Sequence, residues 1–219
     1  YEPLSVACII TGNELKEVGE ELMEGEIYNS NGPMLDSCLQ QLGIRNSVIL
    51  RAPDEKARLQ RLINGALEKH QVLLLSGGIS VGDYDFVKEC LEQAGVKELF
   101  YKVKQRPGKP FFAGVKGDKY IFALPGNPAS VLSCFQQYVR PTLKYMMGQD
   151  NVWEPDEMLE LAEDVTKKTG FTFFMKARRE HGKVRVLSGQ QSFNLFAFNE
   201  ADCLVELEEE SELIESGSM

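Results

Sequence analysis

The chain has 219 residues, of which 43% are hydrophobic and 26% charged, so it can bury one sizeable core and a second small one. Its 24 Lys and Arg stand against 33 Asp and Glu, and the resulting net charge of -9 argues against duplex nucleic acid or an anionic membrane as the main partner. No apolar run of transmembrane length occurs.

The cysteine and histidine content argues against a disulfide framework or a zinc site. The five cysteines are odd in number, widely spaced and mostly inside apolar runs, which predicts reduced thiols and a cytoplasmic location. His70 and His181 lack the spacing of metal ligands. The chain begins Tyr-Glu-Pro without a methionine, so we expect a piece of a longer protein.

Residues 1–149 alternate short apolar runs with amphipathic segments, a pattern typical of a βαβ protein with a parallel sheet. Strands are predicted at 6–11, 47–50, 72–75, 99–103, 111–115 and 120–124. Helices are predicted to begin at Asn31, after an Asp54 N-cap, at Phe86 and at Pro128, the last of them running to about residue 147.

Residues 150–219 change to period-two runs at 171–179 and 184–187, joined by a glycine-containing turn. The last predicted strand, 203–207, runs into an acidic stretch that we interpret as a solvated face. Phe and Met residues near 171–175 are expected to face a small core. The pattern predicts a small all-β domain whose ending is cut short.

The strongest local signal is the segment SGGISVGDYD, residues 76–85, between a predicted buried strand and a helix. In open α/β sheets ligands bind at that place, where glycines let backbone N–H groups approach an anion and serines add hydroxyls. Asp83 and Asp85 would repel a phosphate unless a divalent cation bridged them, which favours a metal-assisted phosphate site. The alternative is that both aspartates cap the helix.

Two further turns are candidates for anion binding. Cations are concentrated between residues 97 and 119, and the prolines of RPGKP, 106–110, would hold the flanking cations in place, although a solvated turn is the alternative. The turn LPGNPAS, 124–130, ends a strand and opens a helix with Pro128 at its first position and Asn127 as N-cap. Taken alone, Glu14 can be explained as an ordinary exposed acid, and Asn31 and Asp54 can be explained as helix caps.

In this order the segments resemble the molybdopterin-binding domain shared by molybdopterin molybdenumtransferases, the gephyrin E-domain type, and molybdopterin adenylyltransferases. The pairing of PGKPF, 107–111, with LPGNP, 124–128, and the β region resemble the molybdenumtransferase branch. The resemblance implies an α/β fold, a three-layer mostly parallel sheet with helices on both faces, followed by a small all-β barrel-like domain.

The resemblance also implies a transferase that cleaves adenylylated molybdopterin, releases AMP and leaves molybdenum from molybdate on the dithiolene. It assigns catalytic roles to Glu14, Asp54, Asp85, Lys102 and Arg106, with Glu14, Asp54 and Asp85 as ligands of a divalent cation such as Mg²⁺. Substrate binding is assigned to Ser76, Gly77, Gly78, Ser80, Gly82, Asp83, Lys109, Pro125, Gly126, Asn127 and Ser130.

The chain departs from the family pattern in three ways. Asn13 stands where the usual turn reads Gly-Asp-Glu-Leu, and Asn29 where an aspartate is common, so either metal binding is weaker or the remaining acids suffice. Family enzymes also carry two further N-terminal domains and form the active site with a dimer mate. We therefore expect a homodimer of the longer protein, and this chain alone could bind ligand without turnover.

Two alternatives stay open. One is a scaffold that holds a receptor peptide, as the gephyrin E-domain type also does, although a pure scaffold needs no carboxylates beside an anion turn. The other is the adenylyltransferase itself, which would bind ATP and free molybdopterin; the β region and the Pro-Gly-Asn-Pro turn weigh against it. In the first hypothesis, the adenylyltransferase is instead a candidate partner.

Overall fold

The computed structural model describes residues 4–79 and 86–219. Its strands are β1 (Ser5–Thr11), β2 (Leu15–Lys16), β3 (Ile27–Tyr28), β4 (Asn46–Ala52), β5 (Val72–Ser76), β6 (Lys97–Tyr101), β7 (Gln105–Arg106), β8 (Phe112–Lys116), β9 (Lys119–Leu124), β10 (Glu160–Leu161), β11 (Val165–Thr166), β12 (Thr172–Glu180), β13 (Lys183–Val186), β14 (Cys203–Leu207) and β15 (Leu213–Ile214). The α-helices are α1 (Asn31–Gln41), α2 (Lys56–Lys69), α3 (Phe86–Gln93), α4 (Pro128–Cys134) and α5 (Arg140–Met146).

A six-stranded sheet in the order β4-β1-β5-β9-β8-β6 forms the centre of the fold. Strands β4, β1, β5 and β9 are parallel, whereas β8 and β6 add an antiparallel edge. Residues of β1 alternate between two cores: Cys8 packs with α1 and α4, and Ile9 with α2 and α3. Burial on both faces explains the continuous apolar run of β1, and the predicted mostly parallel sheet with helices on both faces is confirmed.

The topology places a crevice beside β1. The chain passes from β1 to β4 on one side and then returns to β5 on the other, so neighbouring connections leave in opposite directions. Parallel open sheets bind ligands at such a switch point, outside the carboxyl ends of the strands. Here those ends are Thr11 of β1 and Ser76 of β5.

Two helix predictions need correction. Glu55, not Asp54, occupies the N-cap position of α2, and the Asp54 carboxylate instead accepts a hydrogen bond from the Asn13 N–H. The helix predicted from Pro128 to about residue 147 is interrupted by a π-helical segment, Phe135–Val139, just before Pro141. Proline lacks the N–H that would bond to the carbonyl one turn earlier, which accounts for the local widening.

The C-terminal strands form an open sheet in the order β10-β13-β12-β14. The predicted small β domain is confirmed, and no closed barrel forms in the described ranges. Its hairpin turn, His181 and Gly182, has φ of 51° and 78°, as a two-residue turn matched to strand twist requires. Beyond β14, the chain pairs again through β15 with β11, and Leu161 exchanges main-chain hydrogen bonds with residues 217 and 218.

The two parts of the chain meet through β7. This short strand precedes β8 in the chain but pairs in parallel with β12 of the C-terminal sheet, Gln105 opposite Thr172 and Arg106 opposite Phe173. Lys104 adds an ion pair with Glu209, 2.8 Å long. The acidic stretch after β14 therefore forms at least one ion pair. The domain boundary expected between residues 149 and 150 stays a prediction.

None of the helices in the two described ranges combines the length and apolar character needed to cross a bilayer.

Candidate functional site

An open cleft of about 1040 Å³ lies at the carboxyl ends of β1 and β5 and is closed on one side by the C-terminal sheet. Its size suits a drug-sized or larger ligand. The described residues that the sequence assigned to a site and that line this cleft are Glu14, Asp54, Gly77, Gly78, Arg106, Lys109, Pro125, Gly126, Asn127 and Ser130. One cleft thus collects acids, cations and glycine turns from five separate segments.

The glycine turn after β5 has the close approach that its sequence indicates. Gly77 and Gly78 have φ of 90° and 64°, and a Cβ at Gly77 would lie 2.4 Å from the Thr11 carbonyl oxygen. Only glycine avoids both the strain and the overlap. The assigned residues Ser80, Gly82, Asp83 and Asp85 lie outside the described residues, so their roles remain predictions.

Ser76 is placed differently from its assignment. It is fully buried and does not line the cleft; its hydroxyl accepts a hydrogen bond from Asn31 Nδ2 at 2.9 Å and donates to the Pro125 carbonyl at 3.2 Å. Asn31 Nδ2 also donates to the Gly126 carbonyl at 2.8 Å. Ser76 and Asn31 therefore fix the Pro125–Gly126 turn from behind, and binding by Ser76 itself is not supported.

Asn31 is a cleft residue that the sequence interpretation treated as a cap. Asn31 is the first residue of α1 and lines the cleft. Its buried Oδ1 has no hydrogen-bond partner among the described residues. The same holds for the buried Thr11 hydroxyl beneath the glycine turn. Only their positions in the sequence could have indicated a role in the cleft, since both residues lie at ends of elements on the ligand side of the sheet.

The acidic corner of the cleft consists of Glu14 and Asp54. Asp54 Oδ2 accepts the Asn13 N–H at 3.2 Å, and Asn13 Oδ1 accepts the Asp54 N–H at 3.0 Å, so the β1 turn and the α2 entrance are tied together. The Glu14 carboxylate folds back over Gly12, 2.7 Å from where a Cβ of that residue would be. Neither acid has an ion-pair partner within 4–79 and 86–219.

These oxygen donors match Mg²⁺ in kind, because hard cations prefer carboxylate ligands. The described residues contain no group of three or more His, Cys, Asp or Glu side chains placed to hold a metal, and the third assigned ligand, Asp85, is not among them. Glu14 and Asp54 thus offer two carboxylates that could contribute oxygen ligands to such a cation.

Of the three cations assigned to catalysis or binding, two reach the cleft. The Arg106 guanidinium and the Lys109 ammonium lie 4.8 and 5.9 Å from the ring centre of Phe171. Lys102 does not line the cleft: it has a positive φ of 63°, and its ammonium lies over the neighbouring Tyr101 ring, 4.9 Å from the centre. The catalytic assignment of Lys102 therefore has no geometric support.

The cationic turn is fixed from beneath by Gln105, which the sequence interpretation missed. Gln105 Nε2 donates to the Pro107 carbonyl at 3.0 Å, and Oε1 accepts the Tyr138 hydroxyl. Burial raises the pKa of Tyr138 to about 12, so this hydroxyl remains a donor near neutrality. Gly108 has a φ of 95°, and a Cβ at this position would lie only 2.4 Å from Cys134 Sγ. Glycine avoids this overlap.

The C-terminal sheet supplies a cleft wall that period-two patterning could not assign. Phe173, Phe174 and Met175 of β12 line the cleft, as do residues 190–192 of a following loop. Asn127 Nδ2 donates to Ser192 Oγ at 3.1 Å across the cleft. Asn127 occupies the N-cap position of α4, but its side chain makes no capping bond, so it is available for this contact.

Residues 7–145 match the family model described as "Probable molybdopterin binding domain". The chain belongs to the molybdopterin-binding domain family. Residues 158–219 match a second model, described as "MoeA C-terminal region (domain IV)", which agrees with a β part that follows the molybdopterin-binding domain.

Among curated relatives, the "Molybdopterin molybdenumtransferase" of Staphylococcus aureus (strain Mu50) is 35% identical over 207 residues, 93% of this chain and 49% of its own length. That of Staphylococcus epidermidis (strain ATCC 12228) is 34% identical over 190 residues, 87% and 45% of the two chains. The chain spans about half the length of the curated relatives that it matches.

Solved structures share the whole of this fold. A molybdopterin biosynthesis moea protein from Pyrococcus horikosii superposes with a TM-score of 0.79 at 30% identity, covering 98% of this chain and 52% of that one. A molybdenum cofactor biosynthesis protein from Pyrococcus furiosus has a TM-score of 0.70 at 19% identity over 98% of this chain and 65% of its own, which shows the common fold alone.

Proposed function

We propose that this chain is the pterin-binding half of a molybdopterin molybdenumtransferase, which inserts molybdenum from molybdate into adenylylated molybdopterin and releases AMP. The observation that carries the proposal is the single cleft in which the glycine turn, the acids Glu14 and Asp54, and the cations Arg106 and Lys109 meet. Relatives that match almost the whole chain are named for this transfer.

The substrates carry phosphate, phosphoanhydride and oxyanion groups. Arg106 and Lys109 would attract these anions, and the N–H groups of the turn at Gly77 and Gly78 would hold a phosphate. The Pro125–Gly126 turn, Asn127 and Ser130 would complete the pocket for the pterin and its phosphate. Glu14 and Asp54, with the assigned Asp85, would hold Mg²⁺, which when bound offsets negative charge on the phosphoanhydride.

In the longer protein we propose a cytoplasmic homodimer whose other domains complete the site, supplied with substrate by a molybdopterin adenylyltransferase. The cleft of this chain is open, and most of its charged side chains are exposed. We therefore expect the chain alone to bind ligand without full turnover, because exclusion of water is incomplete.

Calorimetric titration of the chain with molybdopterin and its adenylate, with and without Mg²⁺, tests the proposal. Lys109→Ala should weaken binding about tenfold or more, as loss of a charge-assisted contact does. Asp54→Asn should reduce the Mg²⁺ dependence, whereas the exposed Lys97→Ala and Asp118→Asn outside the cleft serve as matched controls.

Saturable binding by the wild type and the controls, weakened in the cleft variants, would support the pterin site. Folded wild-type protein that binds neither compound would contradict it. Tight binding of ATP together with free molybdopterin would instead indicate the adenylyltransferase reaction.

A further inference from the structure

Lys176 of β12 is a buried lysine whose ammonium faces main-chain carbonyls. The residue is 3% exposed, and Nζ donates to the carbonyl oxygens of Gly189 at 2.8 Å, Asn194 at 3.3 Å and Gln191 at 3.4 Å. The Phe198 ring centre lies 5.2 Å away. No carboxylate in the described ranges forms an ion pair with it.

Burying this ammonium costs free energy, and packing alone does not explain why a lysine occupies the position. A buried ammonium loses its hydration, and burial accordingly lowers the pKa of Lys176. An apolar side chain of similar volume generally packs at least as well as a buried charge. What the lysine adds is three donors on one nitrogen, and here all three meet carbonyls of a single loop.

The main chain of Lys176 holds the same loop. Its N–H donates to Gln190 Oε1 at 3.0 Å, and its carbonyl accepts Gln190 Nε2 at 2.8 Å and the Leu187 N–H at 3.0 Å. The Gln190 carboxamide thus makes the two hydrogen bonds to β12 that the main chain of a neighbouring strand would otherwise make. We call residues 187–199 the anchored segment, since both the main chain and the side chain of Lys176 bind it.

The anchored segment forms part of the cleft wall. Gln190, Gln191 and Ser192 line the cleft, and Ser192 receives the hydrogen bond from Asn127 on the opposite side. The segment has no long secondary structure, only the single 3₁₀ turn Phe196–Asn199. Its position against the cleft therefore depends on discrete contacts, of which the buried ammonium makes three.

We propose that Lys176 is a positioning residue for the cleft: its ammonium anchors residues 187–199 and thereby places Gln191 and Ser192 where they contact a bound ligand. The consequence for ligand affinity rests on the proposed pterin-binding function, whereas the anchoring itself does not. Lys176 is too deeply buried to touch the ligand, and it does not line the cleft.

Hydrogen exchange of the unliganded chain tests the anchoring directly. Lys176→Met keeps an unbranched apolar stem of nearly the same length but removes the cation. The matched control is Lys167→Met, because Lys167 is 5% exposed and donates to the carbonyls of Phe171 and Glu209, outside the anchored segment. Lys176→Met should accelerate exchange of amides in 187–199 about tenfold or more relative to the control. Equal exchange in the two variants would overturn the proposal.

A conservative variant keeps the test decisive should Lys176→Met fail to fold. Lys176→Arg retains the charge, but its planar fork cannot direct three donors from one nitrogen. Exchange in 187–199 should then rise to an intermediate level, with the rest of the C-terminal sheet unchanged. Wild-type exchange rates throughout 187–199 in Lys176→Arg would overturn the proposal.

The ligand arm separates this inference from the proposed function. In titrations with adenylylated molybdopterin, Lys176→Met should raise Kd about tenfold, and Lys176→Arg less. An unchanged Kd despite faster exchange would overturn the link to the ligand. If the wild type itself does not bind, the proposed function fails, while the exchange comparison still decides whether Lys176 anchors the segment.

Discussion

Asn13 and Asp54 hydrogen-bond each other reciprocally, with each main-chain N–H donating to the other residue's side-chain oxygen, at 3.2 and 3.0 Å. This pair joins the turn after β1 to the entrance of α2 at the acidic corner of the cleft. The family resemblance leads us to expect aspartate at position 13, so the asparagine leaves one charge fewer at a corner that holds Glu14 and Asp54.

Restoring that charge should make the corner depend on a divalent cation. In Asn13→Asp the new carboxylate would face Asp54 without a cation to compensate, and we expect a loss of about 1 kcal/mol in unfolding free energy at low salt. Mg²⁺ should recover more stability in this variant than in the wild type. Thermal unfolding with and without Mg²⁺ measures both effects, and Asn64→Asp, at an exposed position of α2, is the control. Identical Mg²⁺ responses in all three proteins would contradict the prediction.

The glycine turn gives a prediction about stability. Gly77→Ala should destabilise the chain by about 2 to 4 kcal/mol, because its Cβ would overlap the Thr11 carbonyl and its φ of 90° is strained for alanine. The matched substitution Gly65→Ala lies in α2 with no atom within 4 Å of the new Cβ and should stabilise by about 0.5 to 1 kcal/mol. Urea unfolding of both variants checks the opposite signs; the same sign for both would contradict this account.

The α/β part was largely predictable because its signals are local. Apolar runs bounded by caps and glycines located the strands of the parallel sheet and the starts of α1 and α4. The sheet order and the open C-terminal sheet were not predictable, since period-two patterning gives the faces of a strand but not its neighbours. The same limit applies to the site: Asn127 and Ser192 are 65 residues apart, and no local pattern pairs them.

Side-chain direction limited the rest of the site prediction. Lys102 and Lys109 both belong to one basic stretch, but the positive φ at Lys102 and its Tyr101 contact turn that ammonium away from the cleft. Ser76 was expected to bind ligand because it precedes the glycines, yet as the last residue of β5 it is buried among Asn31 and Pro125. Backbone conformation and burial at element ends decided both cases.

Asp202 makes the stability of the C-terminal sheet depend on acid pH. Its Oδ1 accepts the Arg179 N–H at 3.0 Å, and this bond together with the Arg179 charge lowers the pKa of Asp202 from its usual value. A lowered folded-state pKa contributes stability that is present above the unfolded pKa and is lost as pH falls through the folded one. Wild type should therefore exceed Asp202→Asn in stability at pH 7, with the difference shrinking below about pH 4. Urea unfolding from pH 7 to 2.5 measures this, and a pH-independent difference would contradict it.

Cysteine reactivity offers a test of the core in which β1, α1 and α4 pack together. Burial raises the pKa of Cys8 and Cys134 to about 12 and that of Cys38 to about 11, so these thiols hold few reactive thiolates near neutrality. Cys203 is only partly buried, although burial and Asp202 raise its pKa to about 11 as well. With iodoacetamide at pH 8, we expect slow labelling of Cys203 first and near-complete protection of the buried thiols. Labelling in urea should modify all five at comparable rates, because unfolding removes the burial. Rapid native labelling of Cys8, on the interior strand β1 of the sheet, would contradict the packing on which the cleft depends.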